Sequence, residues 1–250
     1  MSGTELLEIA PLERAEITVE PWEWEFAVKR RAEIDRHFAA RRRQQPALWN
    51  GRVLLLKDYR IANGVLSGSS FETDFASFMA WRDWDFPDRS VFNVFAMAAV
   101  RAADGGYLLG EMADYTAAAG FLYFPCGTPD PEDVAEGMLD LDGSARRELF
   151  EETGIDIGTL AARPGWTLVR ERNFLALIKQ ATFAEDAGKL RARVMRHLAS
   201  GAQPEFSDIR IVRGRADLAA EMPLFAVAFL ESVWREEARG SSGRVRGGWG

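Results

Sequence analysis

The chain of 250 residues carries a net charge of −7, with 47% hydrophobic and 28% charged residues. This balance is typical of a globular protein with a sizeable buried core. The acidic surplus argues against a protein that coats nucleic acid, because such proteins need a basic surface. The longest apolar runs, 92–100 and 224–230, are too short to cross a bilayer, so no membrane partner is expected.

The single cysteine, Cys126, excludes an internal disulfide and a cysteine-rich zinc site. The first residues are acidic, whereas a secretory signal needs basic residues followed by a long apolar run. A reduced, cytoplasmic setting is therefore the expectation.

The first part of the chain, residues 1–88, is interpreted as an N-terminal α/β extension that caps or shapes a pocket. Its predicted elements are a helix over 25–43, two strands on either side of the turn signal at 63–64, and a short helix over 74–84. Val28, Ile34 and Phe38 supply the apolar positions of the first helix.

Residues 89–237 are predicted to form one domain, and the Gly- and Arg-rich residues 238–250 a flexible tail. The predicted strands of the domain cover 91–100, 107–110, 120–124, 166–172, 174–183 and 206–213, and the predicted helices of the domain begin near 144, 189 and 223. Helices and strands alternate irregularly, so the expected fold class is α+β, with an α/β/α sandwich around a mixed sheet.

The helix that begins near residue 144 carries the most informative segment. Glu148 lies three residues before Glu151 and four before Glu152, so the three carboxylates project from neighbouring positions of one helix. Arg147 is placed to pair with Glu151, and Gly154 suits a left-handed C-cap. Ser144 or Asp142 is expected to cap the other end, and Ala145 and Leu149 to pack inward.

Clustered carboxylates of this kind suit hard cations such as Mg²⁺ or Mn²⁺, which prefer oxygen ligands. A cation that bridges phosphate oxygens polarises the phosphorus and lowers the pKa of a bound water. The segment therefore favours hydrolysis of a diphosphate linkage.

Residues Arg147 to Ile155 resemble the second half of the Nudix box, Arg-Glu-aliphatic-x-Glu-Glu-x-Gly-aliphatic, at every position. The first half departs from the family pattern. Gly127 is followed at the expected position by Asp133 instead of glutamate, and residues 134–146 are six more than the family spacing of seven. The stretched loop 124–134 is similar to that of a Nudix subgroup, some of whose members cleave UDP-sugars.

The resemblance implies a Nudix-type sandwich and a role for each matched residue. Glu148 and Glu152 would be the main metal ligands, Glu151 a further ligand, and Arg147 the orienting residue. Gly127 would lie in the substrate-binding loop. The family often takes a general base or an extra ligand from a later loop, for which Glu205 is the candidate, with Glu185 behind it.

The implied substrate is a small nucleoside diphosphate derivative of the UDP-sugar or ADP-ribose type, cleaved to a nucleoside monophosphate. The implied assembly is a homodimer. The alternative is a non-catalytic module that uses the same fold to bind or sense a ligand, which the altered front of the box favours.

Two groups of side chains are left open by the sequence. The tryptophans and phenylalanines at 22–26 and 81–86 suit either a hydrophobic core or the stacking of a nucleobase. Arg170 and Arg172 alternate on a strand that either faces a cleft or lies on the surface.

Overall fold

The computed structural model describes residues 7–156, 158, 161–162, 164–201 and 203–244, and these residues form thirteen strands and six α-helices. The strands are β1 Leu7–Leu12, β2 Arg14–Val19, β3 Arg52–Ala62, β4 Val65–Asp74, β5 Asn93–Arg101, β6 Tyr107–Met112, β7 Leu122–Tyr123, β8 Val134–Ala135, β9 Met138–Leu139, β10 Ala161–Ala162, β11 Trp166–Glu171, β12 Phe174–Thr182 and β13 Phe206–Val212. The helices are α1 Glu25–Lys29, α2 Arg31–Gln44, α3 Phe75–Asp83, α4 Leu141–Thr153, α5 Ala187–Leu198 and α6 Leu224–Arg244.

The larger sheet has the strand order β1-β11-β12-β5-β6-β13, with β7 paired to β6 and β10 to β12. It is a mixed sheet, because β12 and β5 run parallel while the other pairs are antiparallel. Alternate residues of β5 serve opposite faces. Phe95 and Met97 pack with α6, whereas Ala98 and Val100 pack with α4 and α5. The predicted α+β fold class and its α/β/α layering are confirmed.

The smaller sheet has the order β3-β4-β2-β9-β8. Its last two strands form a hairpin built from the insertion in the box. Glu136 and Gly137 have φ angles of 52° and 77°, as a tight hairpin turn requires. The hairpin docks on the first part of the chain, because Thr18 pairs with Met138 and the Val19 N–H donates to the Gly137 carbonyl at 2.9 Å.

Strands also join the two predicted parts of the chain in the larger sheet, where β1 pairs with β11. The division of the chain at residue 88 stays a prediction. Helix α6 runs to Arg244, so residues 238–244 of the predicted tail are helical, and residues 245–250 lie outside the described residues. The flexibility of the tail stays a prediction. No helix in the described part of the chain has the length and apolar character to cross a membrane.

The first predicted helix is broken at Arg30 into α1 and α2, and only part of its apolar face was predicted correctly. Ile34 and Phe38 are buried, as expected, but Val28 is 56% exposed. The hairpin turn is confirmed, since Asn63 and Gly64 have positive φ and join β3 to β4. Strands β1, β2, β8, β9 and β10 were not predicted.

Candidate active site

Helix α4 is fixed at both ends by specific contacts. Asp140 is its N-cap and accepts a hydrogen bond from the Gly143 N–H at 2.8 Å, so the predicted caps Ser144 and Asp142 were wrong and the helix begins earlier. At the other end Gly154 adopts φ 68°, as predicted for a left-handed C-cap. His197 closes over this end, with Nε2 3.0 Å from the Glu151 carbonyl oxygen.

The inner face of α4 is apolar, because Ala145 and Leu149 are both fully buried, as predicted. Arg147 lies at the centre of the polar face. Its guanidinium contacts Glu148 at 3.1 Å and Glu151 at 3.3 Å, which confirms the predicted pairing with Glu151.

Asp133 is a partner of Arg147 that the sequence reasoning did not identify. Its two carboxylate oxygens accept hydrogen bonds from Arg147 Nη2 at 3.0 and 3.1 Å, and its side chain is 2% exposed. It also accepts from the Asp130 N–H at 3.1 Å, which anchors it in the short 3₁₀ helix Pro131–Asp133. Asp133, the residue that departs from the box pattern, therefore holds Arg147 in position, although the inserted hairpin lies between the two residues in the sequence.

Glu152 is the buried carboxylate of the helix, and Glu148 is largely buried, with its side chain 13% exposed. Loss of hydration raises the pKa of Glu148 to about 7, against the attraction of Arg147 and with help from Glu205. Glu152 is 5% exposed, and burial followed by the charge of Glu148 raises its pKa well above the ordinary value. Its Oε2 accepts one hydrogen bond, from the Cys126 N–H at 3.2 Å. The structure thus holds two acidic groups where negative charge is unfavourable.

Glu205 and Glu185 differ in where the structure places them. Glu205 precedes β13 at the rim of the carboxylate cluster, and its charge contributes to the raised pKa values of both Glu148 and Glu152. Partial loss of hydration and the charge of Glu151 raise the pKa of Glu205 as well. Glu185, the second candidate for the general base, instead accepts a hydrogen bond from Arg193 at 2.9 Å and does not join the carboxylate cluster.

The carboxylate cluster suits a divalent cation in its donor chemistry, since it offers buried oxygen ligands whose mutual repulsion a cation would relieve. Glu148 and Glu152 fit this use. Glu151 does not fit without a change of rotamer, because its side chain is exposed and bonded to Arg147. Within the described part of the chain, no three side chains of His, Cys, Asp or Glu are arranged to hold a metal ion as they stand.

Gly127 lies against the tip of Glu148. A Cβ at this position would meet Glu148 Oε1 at 2.2 Å and Cδ at 2.7 Å. Only glycine leaves this carboxylate where it is.

We therefore expect Gly127→Ala to move the Glu148 carboxylate and to lower turnover by about 100-fold, the usual order for a displaced active-site group. Gly214→Ala is the matched control, since nothing lies within 4 Å of a Cβ there and its backbone is extended. Steady-state rates of both variants, with circular dichroism as a check of folding, measure the effect. Equal rates for the two variants would contradict it.

The cluster opens into a cavity of about 570 Å³ lined largely by aromatic side chains. Glu152, Cys126 and Gly127 line it on the side of the cluster, which brings the predicted substrate-binding glycine next to the carboxylates. The other walls come from α3 and the residues after it, from β5, from the 117–124 segment, from the β11–β12 turn and from the start of α6.

The structure separates the side chains that the sequence left open. Trp24, Trp81 and Phe86 are buried in one hydrophobic cluster with β3, and of the three only Phe86 also borders the cavity. Arg172 also lines the cavity, while Arg170 lies over the rings of Tyr59 and Phe92.

No protein-family model matches the chain, and no curated protein matches it. Solved structures do. The chain is 21% identical to a MutT protein from Methanosarcina mazei Go1, with 58% of this chain and 95% of that one covered and a TM-score of 0.41. It is 16% identical to the Nudix hydrolase RenU from M. smegmatis, with coverages of 58% and 84% and a TM-score of 0.37.

A third similar structure is a bifunctional NMN adenylyltransferase/ADP ribose pyrophosphatase from Francisella tularensis, at 14% identity, coverages of 58% and 39%, and a TM-score of 0.32. The similar structures include Nudix hydrolases, the family that residues 147–155 resemble.

Proposed function

We propose that this protein is a Nudix hydrolase that cleaves the diphosphate linkage of a nucleoside diphosphate derivative with the help of Mg²⁺ or Mn²⁺. The observation that carries the proposal is a pair of carboxylates on one helix: Glu152, which is buried and lines an aromatic cavity, and Glu148, whose side chain is 13% exposed. Such a pair is costly to a folded protein, and sites that tolerate this cost are frequently catalytic.

Each residue of the cluster has a defined task in this proposal. Glu148 and Glu152 would supply oxygen ligands to the cation, and Glu151 would be a further ligand in a rotamer that no longer pairs with Arg147. Arg147, held by Asp133, fixes the direction of the Glu148 carboxylate. A bound cation would polarise the diphosphate and lower the pKa of a water. Glu205, whose charge acts on both Glu148 and Glu152, would accept the proton of that water.

The cavity supports a substrate with a sizeable group beside the diphosphate. Its volume of about 570 Å³ and its aromatic walls suit a nucleoside, and Gly127 lets the backbone approach the phosphates. A UDP-sugar or an ADP-ribose type of compound meets both requirements. The products would be a nucleoside monophosphate and a phosphorylated second fragment. A homodimer, the absence of nucleic-acid and membrane partners, and a cytoplasmic setting remain part of the proposal.

A panel of UDP-sugars, ADP-ribose, dinucleotides and coenzyme A, incubated with Mg²⁺ or Mn²⁺ in ¹⁸O-labelled water, tests the proposal. We expect turnover of at least one compound, with a single ¹⁸O atom in one of the two phosphate products. The labelled product identifies which phosphorus is attacked. No turnover across the panel, together with no Mn²⁺ binding in a titration, would favour the non-catalytic module instead.

A further inference from the structure

The cavity has an end away from the carboxylates, which we call the distal pocket: Asn93, Phe86, Phe174 and Arg172. Asn93 is 4% exposed, and its Nδ2 reaches Thr128 Oγ1 only at 3.4 Å. Its Oδ1 is buried and accepts no hydrogen bond from any residue that the structure describes. A buried acceptor without a donor costs about 1–3 kcal/mol and is uncommon in folded proteins. A ligand N–H in the cavity would supply the donor after a small rotation of the amide.

Backbone strain occurs at the same place. Non-glycine residues with positive φ in the described chain include three in two-residue hairpin turns, Asn63, Glu136 and Arg172, where such angles are expected. The other two, Asp85 and Phe86, have φ of 65° and 57° just after helix α3, and for a bulky residue such as Phe86 this angle is strained.

These strained residues are held in place by their side chains. Arg172 forms an ion pair with Asp85, and its guanidinium carbon lies 4.7 Å from the centre of the Phe86 ring. The Phe86 ring is in turn 5.3 Å from Phe174, edge to face. Strain of about 1–3 kcal/mol per residue persists where the surroundings impose it, most often at ligand sites.

The spacing between the two ends of the cavity follows from the register of β5. Met97 of β5 pairs with Cys126, whose N–H donates to Glu152, so Met97 marks the carboxylate end of the cavity. Asn93 of the same strand pairs with Phe174 and marks the distal pocket. Four residues of extended strand separate these two levels by roughly 13 Å. A nucleoside whose phosphates lie at Glu152 places its base at about this distance.

We propose that the distal pocket binds the nucleobase of the substrate and that the amide oxygen of Asn93 accepts a hydrogen bond from an N–H on the edge of the base. Phe86 and Phe174 provide the aromatic surface for the ring. The inference rests on the proposed function. It adds that the nucleobase is recognised, and that Asn93, Phe86 and Phe174 recognise it. A sugar is a poorer occupant, because its several hydroxyls would find mostly phenylalanine side chains.

Calorimetric titration of the protein with UMP, AMP and ribose 5-phosphate tests the first part. We expect at least one of the two nucleotides to bind about tenfold or more tightly than ribose 5-phosphate, since stacking of a base on aromatic side chains contributes about 1–3 kcal/mol. Equal affinities, or no binding of either nucleotide, would overturn the inference.

The role of Asn93 is tested by removing either the N–H donor of the base or the amide acceptor of Asn93. In the wild type, 3-methyluridine monophosphate, or N6,N6-dimethyladenosine monophosphate if AMP is the tighter ligand, should bind about tenfold more weakly than its parent. In Asn93→Leu the parent should bind weakly and the methylation should have no further effect. A methylation penalty that persists unchanged in Asn93→Leu would assign the hydrogen bond to another residue and overturn the proposal.

Melting temperature separates this role from a structural one. Because Oδ1 has no donor, Asn93→Leu should melt no lower than the wild type, and Asn93→Asp gives a second variant of nearly the same shape if the leucine variant does not fold. Failure of the two proposals can be distinguished. Base-dependent binding without any turnover would contradict the proposed hydrolase function and support the nucleobase site. Turnover without preference for a base would support the hydrolase function and contradict the nucleobase site.

Discussion

Glu152→Gln should abolish turnover, by a factor on the order of 10³ or more, while making the protein without added metal more stable at pH 8. Activity falls because the amide is a poor ligand for a hard cation. Stability rises because the substitution removes a carboxylate that is 5% exposed and whose neighbours include Glu148 and Glu205. Stabilising changes at such sites typically contribute about 1–2 kcal/mol.

The pH dependence of this effect has a definite sign. A carboxyl group whose folded-state pKa is raised binds its proton more tightly in the folded protein than in the unfolded chain. The stability that it contributes is therefore fully present at pH 4 and is lost as pH rises through the raised pKa, which is about 7 for Glu148. The difference between Glu152→Gln and the wild type should thus be small at pH 4 and largest at pH 8. Added Mn²⁺ should raise the melting temperature of the wild type only.

Glu185→Gln is the matched control, because this glutamate pairs with Arg193 away from the cluster and is partly exposed. It should keep full turnover and change stability by less than about 1 kcal/mol. Urea unfolding at several pH values and steady-state rates measure both properties. Turnover that survives in Glu152→Gln would refute the assignment of the metal site.

The second large effect is expected at Asp133, which acts through Arg147. Asp133→Ala should destabilise the protein by about 3 kcal/mol, because it removes two of the hydrogen bonds of a half-buried guanidinium and leaves the Asp130 N–H without its acceptor. It should also lower turnover, since Arg147 then no longer holds Glu148 in one direction. A purely structural role would change stability alone.

A double-mutant cycle with Arg147→Ala isolates this interaction, because the two substitutions should be clearly less than additive in unfolding free energy and in kcat. Asp142→Asn is the control. It removes an aspartate from the first turn of the same helix, where the partner is Lys179 and the carboxylate is about half exposed. Because this carboxylate is about half exposed, whereas that of Asp133 is 2% exposed, its loss should cost less. Full additivity between Asp133→Ala and Arg147→Ala would contradict the positioning role.

The contacts that the sequence predicted are local in the chain. Arg147 and Glu151 pair at helical spacing, and Gly154 ends the helix, both of which follow from the geometry of one helix. The hairpin at Asn63 was predictable for the same reason, since its two residues favour positive φ. The mixed sandwich followed from the irregular order of helices and strands.

What the sequence did not predict depends on contacts between distant residues or on unfavourable local choices. Glu136 takes a left-handed conformation that glutamate rarely adopts, so the β8–β9 hairpin gave no turn signal. Asp133 reaches Arg147 only because that hairpin folds back between them. The open amide of Asn93 is visible only once Thr128 and the cavity walls are in place.

The pairing of β1 with β11 has a consequence for the order of events during synthesis. Leu7 leaves the ribosome well before its partner Glu171. Strand β2 likewise waits for Met138 before the smaller sheet can be finished. Contacts of such long sequence separation slow folding, because the loop between them must close first. Until these later residues are made, β1 stays without its partner β11 and β2 has one edge free, and chaperones can bind such edges.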